Sequence, residues 1–167
     1  MEHLPPWETF TPEALAELLC GNADAIRCVQ TIARCSHTYD DLIDRDKPVA
    51  DDSIHDLIWS LLVALPVNPF FRAHQDVIRP VLITGILNWK AATDMERGGC
   101  TEELRIAHAL RYAVADILLI CMEIVGGHEH AMRHARRARL MAQADTWAHY
   151  RSEHTQPENS DVQTQAD

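Results

Sequence analysis

The residues best suited to chemistry in this sequence are three aspartates, Asp40, Asp41 and Asp44. They lie within Ser36-His37-Thr38-Tyr39-Asp40-Asp41-Leu42-Ile43-Asp44-Arg45-Asp46-Lys47-Pro48. On a helix, residues three and four apart share a face, so the three carboxylates point the same way. His37 lies one turn before Asp41 on that side. Like charges at this spacing destabilise a helix, and a divalent cation would remove the penalty. Oxygen-only ligands suit Mg²⁺ or Mn²⁺, and Mg²⁺ typically takes one or two carboxylates plus substrate phosphates. The same residues also suit a solvated acidic face. Tyr39, Leu42 and Ile43, interleaved with the aspartates, argue that the helix is packed at that level.

A second polar stripe runs through His108, Tyr112, Asp116 and Glu123. Asp116 is set among Val114, Ala115 and Ile117 to Ile120, which predicts a buried position on a central helix. A buried carboxylate needs an arginine or tyrosine partner, or a metal. Asp116 and Glu123 are therefore candidates for the second half of a two-helix carboxylate site facing Asp40–Asp44. Lys47, Arg133 and Arg137 are candidates for holding phosphate. Arg133, Arg136, Arg137 and Arg139 equally suit a surface face paired with carboxylates. The adjacent pair His55-Asp56 resembles the core of the HD-type phosphohydrolases, but Ser53 and Asp56 also have the spacing of a capping box. His130 and His134, four apart, read as a solvated face.

The elements that must position these groups are all helical. Thr11-Pro12, Asn22 and Asn68-Pro69 are helix starts, a capping side chain being followed in two of them by proline at the first helical position. Ser53 and Thr101 are read as further caps. The expected helices run from Thr11 to Cys20, Asn22 to about Arg45, Ser53 to before Pro66, Asn68 to Gly98, Thr101 to Val125 and about His128 to His154. Pro80 is expected to kink or divide the fourth. Trp7, Trp59, Trp89 and Trp147 read as core or inter-helix anchors. The expectation is one all-α domain over 1–154, a bundle of six or seven helices, followed by a polar, disordered tail over 155–167.

The bulk properties narrow the classes. The chain has 167 residues, 47% of them hydrophobic, enough for one domain with a real core. A formal net charge of −10 disfavours nucleic acid as a partner. No apolar run approaches the roughly 20 residues of a membrane span. The N-terminus has no signal-peptide pattern, and five cysteines without a Cys-x-x-Cys fit reduced thiols, so a cytoplasmic location is expected.

The stretch Asp40-Asp41-x-x-Asp44 resembles the first aspartate-rich motif of the isoprenyl diphosphate and terpenoid synthases. Lys47 and Pro48 resemble a shortened form of the basic segment that follows it there. The resemblance covers 13 residues of a chain about half the family's usual length. It implies an all-α fold, terpenoid-synthase-like in part, in which Asp40, Asp41 and Asp44 bind Mg²⁺ that holds a substrate diphosphate. In place of the second motif of that family stand only Asp116 and Glu123, seven apart where the cyclase pattern has eight. The first functional expectation is thus Mg-dependent binding or turnover of a diphosphate-containing small molecule. The alternatives are a non-catalytic helical interaction or assembly protein, with a homo-oligomer among its forms, and an all-α nucleotide pyrophosphohydrolase.

Overall fold

The computed structural model describes residues 11–154, apart from positions 46, 99 and 144. The expected tail over 155–167 and Trp7 lie outside the described residues. Among the described residues there is no strand, and the fold is all-α. Among the described residues, five helices of ten residues or more build the body, where six or seven were expected. They are α2 (Ala23–Asp44), α3 (Asp51–Val67), α4 (Pro69–Gly98), α5 (Thr101–Leu110) and α6 (Val114–Ala142). Two short helices flank them, α1 (Pro12–Leu18) and α7 (Trp147–His154).

Local chemistry explains most of the starts. The Thr11 hydroxyl accepts from the Ala14 amide, with Pro12 at the first helical position. Asn22 accepts from the amides of Asp24 and Ala25. Buried Asn68 accepts from the Phe71 amide and donates to the Asp24 carbonyl, so one side chain caps α4 and ties it to α2. Two expected caps differ. α3 begins at Asp51 behind Ala50, without a side-chain cap, so Ser53 and Asp56 form no capping box. The cap of α5 is Cys100, in a box with Glu103, one residue before Thr101. Pro80 does not divide α4. The carbonyl it leaves without a donor belongs to Asp76, an exposed residue, where water can satisfy it.

The expected helix from Thr101 to Val125 is broken at 111–113, while its expected stop at Gly126-Gly127 falls where a non-helical residue divides α6 into two helical stretches. Gly127 has φ 76° and ψ 176°, a conformation open essentially to glycine, so α6 is kinked there. Gly85 marks a close crossing, because a Cβ on it would stand 3.0 Å from that of Ala113.

The main core joins α1, α2, Leu65 of α3, the first half of α4 and α6, around Leu15, Leu18, Val29, Ile78, Leu118 and Met122. A smaller core joins the second half of α4, α5 and α7, through Ala92, Ala107 and Tyr150. Within α3, Ser60–Ala64 form a π-helical turn, and only Leu65 of the whole helix is buried. Trp59 is therefore no core anchor; it is 63% exposed.

Candidate functional site

The aspartates occupy the last two turns of α2. A helix C-terminus carries partial negative charge, and α2 has no basic residue in its last turn. Three carboxylates there need cations from elsewhere, and other segments supply them. Arg97 of α4 donates to the Ile43 carbonyl at 3.1 Å. Lys47 stands 2.9 Å from Asp41, and His37 3.7 Å from it. Arg111, at the C-terminal end of α5, hydrogen-bonds Asp40 and reaches Asp44 at 3.4 Å.

Arg111 also takes Glu96 of α4 in a two-pronged grip, Nε donating at 2.6 Å and Nη2 to the other oxygen. Such bidentate pairing is the strong form of the ion pair. Both partners are enclosed, with side chains 11% and 5% exposed. The Tyr150 hydroxyl donates to Glu96 as well, and His154 lies 3.9 Å from it. The guanidinium sits 5.5 Å from the centre of the Trp89 ring, which packs on Tyr39 at 4.6 Å. Among the described residues, the buried indole N–H of Trp89 finds no hydrogen-bond partner.

These surroundings set the ionisation. Burial raises the Asp40 carboxyl to about 7; Arg111 opposes the rise, and Asp44, Asp41 and Glu96 add to it. Arg111 is held above its ordinary value by Glu96, Asp40 and Asp44, against the effect of its own burial. Burial and the carboxylate of Glu96 push the Tyr150 phenol up. The network is one arginine shared by Glu96, Asp44 and Asp40, whose carboxyl takes up a proton far more readily than an ordinary aspartate.

On the far side, Asp41 and Lys47 line an open cleft of about 390 Å³ with Leu42, Arg45, Pro48 and Val49. Arg45 sits there in the left-handed conformation, φ 56°, as the cap of α2. Among the described residues no three His, Cys, Asp or Glu side chains come together as a group that could hold a metal ion.

The second stripe does not form. The break at 111–113 separates its members. His108 and Tyr112 bind the turn before α7, through the backbone and side chain of Asp145. Asp116 is not buried. It lies in the first turn of α6, 41% of its side chain exposed, and Arg139 holds it. Glu123 is 3.7 Å from His128. Arg137 pairs with Glu17 at 2.6 Å, while Arg133 is exposed. His130 hydrogen-bonds the Leu18 carbonyl at 2.9 Å, closing the end of α1, with its ring against that of His134. His55 and Asp56 are exposed on α3, and all five cysteines are free thiols.

Comparison with known protein families, characterised proteins and solved structures finds no match. Glu96, Arg97, Arg111 and Tyr150 were not singled out from the sequence. The one signal for them was the unbalanced charge at the end of α2.

Proposed function

We propose that this protein is a non-catalytic helical interaction protein, in which the Asp40–Asp44 cluster is a structural junction. One observation carries the reading: each of the three carboxylates is already closed on a cation of the chain itself, Arg111 for Asp40 and Asp44, Lys47 for Asp41. An arginine between two carboxylates supplies the charge that a bound metal would otherwise supply. The test is calorimetry with Mg²⁺ and inorganic diphosphate, together and separately. The expected result is no saturable binding, and no upward shift of the melting temperature with Mg²⁺.

A second reading has an observation in its favour. The cleft beside Asp41 brings one carboxylate together with Arg45 and Lys47. Mg²⁺ needs few protein carboxylates when a diphosphate supplies the other oxygens, and lysine and arginine suit the remaining phosphate oxygens. This is the form in which the resemblance to the terpenoid synthases would apply to this chain. Saturable diphosphate binding lost in both Asp41→Asn and Lys47→Ala would establish it and overturn the structural reading.

A further inference from the structure

We propose that the outer face of α3 is the contact surface for a second copy of this chain, paired antiparallel about a two-fold axis near Trp59 and Leu62. The proposal deepens the interaction reading by naming the partner, and rests on it.

Between Asp51 and Val67 the helix is apolar on nearly every side, with Ile54, Leu57, Ile58, Trp59, Leu61, Leu62, Val63 and Leu65. A helix apolar all round is normally covered all round. Here one side is covered. Ile58, Trp59, Leu62 and Val67 are exposed by 51, 63, 71 and 63%. Ile58, Trp59, Leu62 and Val63 line a shallow groove of about 440 Å³ with His55 and Asp56.

The backbone holds this face outward. In an uninterrupted α-helix, Leu61 and Ile58 would follow buried Leu65 on the inner side, four and seven residues back. The π turn over Ser60–Ala64 fits an extra residue into that turn and shifts the phase. Leu57 and Ser60 are the partly covered positions instead, with Ser60 beside Cys35 of α2. Ile58 and Leu61 are thereby left outside.

Charge and area choose the occupant. From Asp51 to Phe71 there is no lysine or arginine and there are three aspartates. Helices that lie on membranes carry basic residues on their polar side, so an anionic lipid surface is a poor fit. The pair α3–α4 is apolar enough for a span only jointly, across a 101° bend. Asp51 and Asp52 stand exposed at the start of α3, and Arg72, also exposed, lies in the first turn of α4, past the bend that follows Val67. None of the three has an ion pair among the described residues. Antiparallel pairing brings the acidic end of each copy to the basic end of its partner, and parallel pairing would stack like charges. Ile58, Trp59, Leu61, Leu62, Val63 and Val67 leave on the order of 600 Å² open per copy, so a two-fold pair removes ~1,200 Å² from water, where specific interfaces begin.

The test is the mass of the full chain by light scattering, in reducing buffer so that exposed Cys20 and Cys100 stay unlinked. The expected wild-type mass is that of a dimer. Leu62→Asp is expected to give a monomer with unchanged far-ultraviolet dichroism, since the residue makes no core contact. Arg72→Glu is expected to weaken the dimer by about 3- to 10-fold, and adding Asp52→Lys to restore it. A monomeric wild type, a dimer indifferent to Leu62→Asp, or a charge swap that does not rescue overturns the proposal. So does flotation with vesicles of phosphatidylserine and phosphatidylcholine that Leu62→Asp abolishes, which assigns the face to lipid. The calorimetry with diphosphate separates the two levels. A monomer that binds no diphosphate removes the second copy alone, and saturable binding removes the structural reading of the cluster whatever the mass.

Discussion

Arg111 answers three carboxylates at once, and its removal would strand them together. Glu96 has almost no access to water, so an uncompensated charge there is costly. Arg111→Met is expected to lower stability by about 3–5 kcal/mol in urea unfolding. Adding Glu96→Leu should return much of that loss, because an apolar pair of similar size replaces a buried ion pair well. Failure of the second change to help would mean that Arg111 acts through its contact with Trp89 instead. Asp40 makes a separate prediction. Its carboxyl titrates near 7 in the folded chain and at an ordinary 3.8 when unfolded. Between those values the folded state holds a proton that the unfolded chain has released. This contribution to stability is therefore greatest below pH 4 and declines as pH rises towards 7. Asp40→Asn should flatten that decline in melting temperature against pH, and leave wild type with no advantage at pH 8.

At the scale of the elements, the end of α2 and the two ends of α4 carry most of the organisation. Asn68→Ala removes the cap of α4 and the tie to the Asp24 carbonyl together, and should cost about 2 kcal/mol. Gly127→Ala should cost about 1–3 kcal/mol, since its φ of 76° suits glycine alone. Denaturant midpoints check both. Caps are written in the residues beside them, which is why the starts at Thr11-Pro12, Asn22 and Asn68-Pro69 were legible in the sequence. The break at 111–113 was not. Tyr112 to Ile120 has the apolar pattern of an unbroken helix, and the turn is fixed by His108 and Tyr112 binding Asp145, more than thirty residues away. The shared face of Asp40, Asp41 and Asp44 was legible from their spacing. Their chief partner was not, because Arg111 is separated from Asp40 by 71 residues and no local pattern points to it. The misplacement of Asp116 has the same origin: its neighbours Ala115 and Ile117 are buried, but its own side chain points to the partly exposed side of the first turn of α6, where Arg139 holds it.

Across the whole molecule, the two apolar cores share no buried residue, and α4 runs through both. The main core is the larger by far. The smaller has α5, α7 and the second half of α4 around Tyr150. Arg111 stands where they meet, one hand on α2 and the other on Glu96 and, through it, Tyr150. The order in which the protein comes apart follows from this seam. Fluctuations that release α7 and α5 need to break few apolar contacts, and do not require the main core to open. Amides of α5 and α7 should exchange with solvent hydrogen ahead of those in α2 and the first part of α6. Arg111→Met should widen that gap by uncoupling the halves. A chain whose amides in both cores exchanged at one common rate would instead be a single cooperative unit, with the seam too tight to part on its own.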